Sequence, residues 1–263
     1  MPGRSEVARR ADFISSQLAG GADEVDILPA KIALPAKSAS PSWSAVLARC
    51  PLFSGLSANE RSEILSEARA REFDRSEVLY FEGDPVEEIL LLLSGYVKHT
   101  KFGESGTVAI LGLAGPGDAL GAASLISTGQ YTTTAEPVQR CRALAWRAPS
   151  FKTYLERSPV LYRNMFRIHL VYLRELEERF REMATEMVSR RVARQLVRLH
   201  DLFGSIDDPS EIRLSQEELA QMTGTTLFSI SRLLTEWEAR GLIVTRRHSV
   251  TVRKVDSLRG ISE

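Results

Sequence analysis

The sequence predicts an α+β chain: a small antiparallel β-barrel or jelly roll, one long helix, then a helix, turn, helix and wing. Three observations predict it. Short apolar segments separated by glycine turns succeed one another between Phe73 and Trp146. A helical pattern without a break runs from Ser158-Pro159 to about Glu186. Two amphipathic helices flanking a glycine lie between Ser215 and Gly241, with two β-prone runs behind them.

Residues 1–42 are rich in Ala, Ser, Gly, Pro and mixed charge and show neither a helical nor a strand period, as in a flexible tail, with a short helix expected near Val7 to Leu18. From Trp43 the pattern is globular. Helices are expected at Ser44–Arg49 and Ser57–Arg71, joined by Pro51-Leu52-Phe53. Strands are expected at Val78–Phe81, Ile89–Leu93, Tyr96–Lys101, Thr107–Leu113 and Val138–Trp146. Turn chemistry at Gly83-Asp84-Pro85, Ser94-Gly95 and Gly115-Pro116-Gly117-Asp118 separates them, which fits a small barrel. The expected divisions are a tail over 1–42, a barrel over 43–157, a central helix over 158–187 and a C-terminal domain over 188–263.

Pro159 suits the first turn of the central helix. Leu173, Leu176, Phe180, Met183 and Met187 then step by three and four residues, with His169 on the same stripe. Charged residues at 174, 175, 177–179, 181 and 182 leave that stripe narrow. A narrow heptad-like seam predicts a two-stranded coiled coil, with His169, Leu173, Leu176, Phe180 and Met183 at a homodimer interface.

Ser215 followed by Glu218 is a capping box, and Thr223-Gly224-Thr225 breaks the chain sharply. In the second helix Ile230, Leu233, Leu234 and Trp237 face inward at helical spacing. That leaves Thr226, Leu227, Phe228, Ser229 and Arg232 on the outer, early turns, where a DNA-reading helix presents its side chains to base edges. Ser215 and Gln216 at the start of the first helix are further DNA-contact candidates. Strands expected at Leu242–Arg247 and Val250–Lys254 form a wing, with a turn at His248-Ser249. Arg246, Arg247, His248 and Arg253 suit the phosphate backbone. A dimer presents two reading helices to half-sites about one helical turn apart, so the expected partner is palindromic double-stranded DNA.

Composition narrows the alternatives. The chain carries 34 basic and 34 acidic residues, which disfavours a nonspecific nucleic-acid binder but not a local positive face. No apolar run reaches membrane-spanning length and no signal-peptide core is present, so no membrane partner and a cytoplasmic location are expected. Two cysteines, Cys50 and Cys141, make neither a disulfide framework nor a thiolate metal site. No phosphate loop, nucleophile elbow or metal-ligand cluster is visible, so no enzyme is expected. A sensor module acting through a protein partner is the rival reading; the wing and the basic residues of the reading helix argue against it.

The order of these parts, with Phe81-Glu82-Gly83-Asp84, Leu93-Ser94-Gly95, Gly117-Asp118-Ala119-Leu120-Gly121, Ser158-Pro159 and Ile230-Ser231-Arg232, resembles the CRP/FNR family of bacterial transcription regulators over residues 43 to about 256. The resemblance implies a cyclic-nucleotide-binding-type barrel, a dimerisation helix, a winged helix-turn-helix and RNA polymerase as a partner. It also implies effector-pocket candidates Ala122, Ser124, Thr132, Thr133, His169, Leu173 and Leu176. Members that respond to cyclic AMP carry a ribose-binding Glu and a phosphate-binding Arg-Ser pair where this chain has Ala122, Thr132 and Thr133. A cyclic phosphate there loses its charge-assisted bonds, so cyclic AMP is not expected. No cysteine precedes Cys50, so no iron–sulfur cluster is expected.

The stretch Thr225-Thr226-Leu227 resembles the nitrogen-oxide-responsive members, which makes nitric oxide or redox sensing a candidate role and haem a candidate cofactor. His169 and His99 are its candidate ligands, each with a plain structural role as the alternative. Basic neighbours at Arg140 and Arg142 are expected to lower the Cys141 thiol pKa. Where well-known members read bases with an Arg and a Glu, this chain has Leu227 and Phe228. Neither can make a bidentate base hydrogen bond, which leaves Arg232 as the guanine reader and predicts a half-site unlike the usual one.

Overall fold

The computed structural model describes residues 50–75, 77–203 and 211–262. The tail over 1–42 and the helix expected at Ser44–Arg49 lie outside the described residues. A single turn of 3-10 helix, Pro51–Phe53, leads into α1 (Ala58–Ser66), whose start is fixed by a capping box: Ser57 accepts from the Glu60 amide and Glu60 accepts in return from Ser57 N.

Two sheets then face each other. One runs in the order β1-β7-β2-β5 and contains Arg69–Phe73, Cys141–Arg147, Glu88–Ser94 and Ala119–Leu120. The other runs β4-β3-β6 and contains Val108–Ala114, Val97–Phe102 and Thr134–Pro137. All the strand pairings are antiparallel. Strand β2 has four consecutive buried residues, Ile89–Leu92, because it lies inside its sheet with both faces covered; that is why its sequence does not alternate.

The expected helix Ser57–Arg71 is corrected here. It stops at Ser66, and Arg69–Phe73 pairs with Cys141–Ala145 as a strand. Arg69 and Arg71 both reach Glu88, so a long-range pairing overrides a locally helical pattern. Val78–Phe81 is likewise no strand; only Tyr80 forms an isolated bridge, to Ala135. The strands expected at Tyr96, Thr107 and Val138 begin at Val97, Val108 and Cys141. A short helix, α2 (Ala122–Ser127), sits on the segment between β5 and β6, and α3 (Ala148–Arg157) packs under the barrel.

Helix α4 spans Pro159–Thr185, with Ser158 capping it through Leu161 N. One face is built into the barrel. Leu161, Asn164 and Met165 are buried, Ile168 packs against the same core, and the Arg179 guanidinium donates to the Leu111 carbonyl of β4. The other face is bare, with Tyr162, Phe166, Leu170, Leu173, Phe180 and Met183 exposed, and Met187 is exposed just beyond its end.

The chain turns at Glu186, which has extended backbone, into α5 (Val188–Phe203). Next come β8 (Glu211–Ile212), α6 (Gln216–Thr223), α7 (Leu227–Ala239), β9 (Ile243–Arg246), β10 (Ser249–Val252) and α8 (Val255–Ser262). The wing is a three-stranded sheet, β8-β10-β9, rather than the expected two strands. A second core of Val192, Leu196, Leu219, Ile230, Leu234 and Trp237 holds this part together.

Candidate nucleic-acid interface

The reading surface is set up by two caps and one glycine. Ser215 and Glu218 close a reciprocal capping box at the start of α6, with Ser215 N to Glu218 Oε2 at 2.9 Å and Glu218 N to Ser215 Oγ at 3.1 Å. Gly224 ends α6 at φ +59°, and a Cβ there would meet Met183 Sδ at 2.9 Å. Only glycine satisfies both the left-handed backbone and that approach of α4 to the turn. Thr226 then caps α7, accepting from Ser229 N at 3.2 Å, while the Thr226 and Ser229 hydroxyls meet at 3.0 Å.

Ile230, Leu233, Leu234 and Trp237 face the domain core, which rotates Leu227, Phe228, Ser231 and Arg232 outward. Leu227 is 52 % and Phe228 77 % exposed, at the free end of the helix. The wing turn is Arg247-His248, one residue earlier than expected, and His248 takes φ 65°. Arg232, Arg246, Arg247, Arg253 and Lys254 are exposed and make no ion pair among the described residues. Unpaired cations gathered around one reading helix form a local anion-facing surface on a chain of zero net charge.

Comparison with known proteins accords with this geometry. Residues 70–158 match the cyclic nucleotide-binding domain, and residues 190–261 match the Crp-like helix-turn-helix domain. The chain belongs to the CRP/FNR family of transcription regulators. It is similar to a CRP-like cAMP-activated global transcriptional regulator of Mycobacterium tuberculosis, 25 % identical over 217 residues, covering 81 % of this chain and 96 % of that protein. It is also similar to the cyclic AMP receptor protein of Thermus thermophilus, 27 % identical over 212 residues with the same coverage, 81 % and 96 %. A transcriptional regulator of the CRP/FNR family from Eubacterium rectale shares the fold, with a TM-score of 0.67 at 18 % identity, over 81 % of this chain and 97 % of that one.

In this CRP/FNR regulator the expected effector-pocket residues differ in their exposure. Ala122 is buried in the barrel core, Ser124 is partly covered on α2, and Thr132 is exposed. Thr133 Oγ1 lies 3.0 Å from His99 Nδ1. His169 and Leu173 lie exposed on α4, and Leu176 is half-buried. The reason is helical phase: residues 161, 164, 165 and 168 turn toward the barrel, which carries 169 and 173 away from it. Toward the barrel, Tyr80 and Tyr131 stack at 3.7 Å, and the Tyr131 hydroxyl donates to the Glu88 carbonyl at 2.7 Å. Sequence reading missed that pair, since two tyrosines 51 positions apart carry no local signal.

His169 stands exposed on the α4 stripe. His99 is half-buried against Thr133, and burial holds its pKa down to about 4, so it is neutral at pH 7. Among the described residues no three His, Cys, Asp or Glu side chains come together as a metal site. The expectation for Cys141 is reversed. Its thiol is buried, bonds to the Tyr96 carbonyl, and is pushed up to about 11 by burial; Cys50 is pushed to about 12 for the same reason. Arg140 and Arg142 turn outward to Glu72 instead of toward the sulfur. Among the described residues no helix is long and apolar enough to cross a membrane.

One structural element was not legible in the sequence: an ion cluster where α4 meets α5. Glu182 is buried and receives Arg198 at 3.0 and 2.5 Å and Arg194 at 3.2 Å. Glu186 takes Arg194 at 2.6 Å and Arg181 at 3.0 Å. Arg191 donates to the Glu186 carbonyl at 2.8 Å and to the Thr223 carbonyl at 3.2 Å. The last turn of the central helix is thereby tied to the turn of the helix-turn-helix. A cleft of about 450 Å³ lies beside this junction, lined by Met187, Val188, Arg232, Glu236, Trp237 and Arg240.

Proposed function

We propose that this regulator works as a homodimer on palindromic double-stranded DNA, together with RNA polymerase, and that its barrel does not respond to cyclic AMP. The observation that carries the reading is the bare stripe of α4. Tyr162, Phe166, His169, Leu173, Leu176, Phe180, Met183 and Met187 repeat at alternating spacings of four and three residues over most of the helix. A stripe of that period, left uncovered by the chain's own barrel, suits the same stripe of a second copy. Its C-terminal end reaches the turn of the helix-turn-helix through Met183 and Gly224, so pairing fixes the separation of two reading helices.

Phosphate recognition sets the argument on the effector. The side chains at 122, 132 and 133 carry no charge, and His99 beside Thr133 stays neutral. A cyclic phosphate would therefore lose its charge-assisted partners. Relatives are named for different signals, cyclic AMP in those of Mycobacterium tuberculosis and Thermus thermophilus and nitrogen regulation in others, so no relative's signal carries over by name. A second reading, a barrel that is fixed without any effector, is favoured by the stacked and hydrogen-bonded Tyr131.

In this reading, effectors act only through different affinities for two arrangements of the α4 pair. The test is selection of random duplex DNA by the full-length protein, with and without cyclic AMP, beside its sedimentation mass. The expected result is a dimer, an enriched palindrome and no change with cyclic AMP. A monomer, or enrichment only with cyclic AMP, overturns the proposal.

A further inference from the structure

Leu227 and Phe228 are the most exposed apolar pair on the DNA-binding domain, and they stand where base edges are met if the proposed function holds. Around them part of the hydrogen-bonding capacity of the helix start is taken up within the helix. Thr226 Oγ1 accepts from Ser229 N, and the two hydroxyls are engaged with each other. Ser231 and Arg232 are exposed on this helix with their side chains in no hydrogen bond or ion pair among the described residues, and Arg232 lies one turn beyond Phe228 on the same side. An exposed Leu-Phe pair beside Arg232, which makes no ion pair among the described residues, suits an apolar occupant inside an anionic surface.

The major groove of duplex DNA offers one such group, the C5-methyl of thymine, among phosphates that the arginines complement. We infer that Leu227 and Phe228 read thymine methyl groups on adjacent A·T pairs of the half-site, next to the base contacted by Arg232. Consecutive residues on a helix point about 100° apart, so the two side chains address neighbouring base pairs rather than a single one.

This inference rests on the DNA-binding reading, and its test separates the two. Duplexes carrying the selected palindrome are made with deoxyuridine replacing thymidine one position at a time, which removes a methyl and keeps the base pairing. For the full-length protein, affinity is expected to fall about fourfold per methyl at two adjacent positions of each half-site, the worth of one buried methyl group. In the Leu227→Ala/Phe228→Ala variant, which leaves the domain core intact, that sensitivity is expected to vanish. In Arg232→Ala it is expected to persist while guanine preference is lost. A selected palindrome whose binding ignores deoxyuridine at every position overturns the inference and leaves the regulator standing. Failure to enrich any duplex overturns both.

Discussion

Lys98 on β3 and Glu218 in the first turn of α6 meet at 3.0 Å across the junction between barrel and DNA-binding domain. Glu136 joins from β6 at 3.2 Å from the same ammonium. The Glu218 carboxylate also closes the capping box on Ser215, so a single side chain both starts the first helix of the helix-turn-helix and fastens it to the barrel. The Tyr96 hydroxyl, which donates to the Leu202 carbonyl at 2.8 Å, is a second tie across the same junction.

Graded substitutions should separate the two roles of Glu218. Glu218→Gln keeps the cap and loses the ion pair and is expected to cost about 1 kcal/mol, while Lys98→Ala, which also releases Glu136, should cost more. Glu218→Ala loses both and should cost about 1 kcal/mol more. Denaturant unfolding gives the energies, and amide exchange over Leu214–Thr223 should rise most in the Ala variant. Equal costs for Gln and Ala would show that the cap contributes nothing.

The pH dependence follows from the signs of the shifts. Burial opposes charge on Glu218, but the Ser215 amide and Lys98 outweigh it, so its pKa lies below the ordinary 4.5. Its contribution is complete above that value and is lost as pH falls through the lowered one. Lys98 is raised above 10.5 because Glu218 and Glu136 outweigh its burial, so its contribution is lost only as pH rises beyond that. His99 acts in between. With 6.5 as its ordinary value and about 4 in the fold, the unfolded chain binds the extra proton, and stability falls as pH drops from 6.5 toward 4. Melting temperatures at pH 7 and pH 5 should show this loss, and His99→Gln should reduce it.

The cluster at Glu182 is expected to fix the angle between α4 and α5. Removing a buried partner leaves charge uncompensated, but both arginines reach solvent, so Glu182→Ala should cost about 2–3 kcal/mol, below the value for a fully enclosed pair. DNA affinity should fall further than the stability loss explains, because the reading helices lose their fixed separation. Affinity that is unchanged in the folded variant would remove the cluster from the mechanism.

Trp237 and Phe228 should behave oppositely although both are aromatic residues of α7. Trp237 is 1 % exposed, and Trp237→Ala should cost about 3–5 kcal/mol. Phe228→Ala should change stability by less than about 0.5 kcal/mol while weakening binding to the selected site. Thermal melts and binding titrations on the same preparations test the pair.

Both thiols are expected to be inert in the native protein. Cys50 and Cys141 are buried with raised pKa values, so little thiolate exists at pH 7.5. A disulfide-exchange reagent should modify neither until denaturant is added. Stoichiometric modification of the folded protein would restore thiol-based sensing as a candidate.

Periodicity and caps alone determined a good deal about this protein. Ser215 with Glu218, Gly224 and the inward set Ile230, Leu233, Leu234 and Trp237 specify the helix-turn-helix, because capping and helical phase are local and leave their marks within four residues. The stripe from His169 to Met187 is visible for the same reason. Tertiary structure decided what depends on distant partners. It turned Arg69–Arg71, the end of an expected helix, into strand by pairing it with β7, and added β8 to the wing. It buried Cys141 away from its basic neighbours and left His169 outside the barrel. It brought Lys98 to Glu218 across 120 positions and gathered Glu182, Arg194 and Arg198 into one cluster. Burial and ion pairing are properties of the assembled chain, and no run of neighbouring residues encodes them.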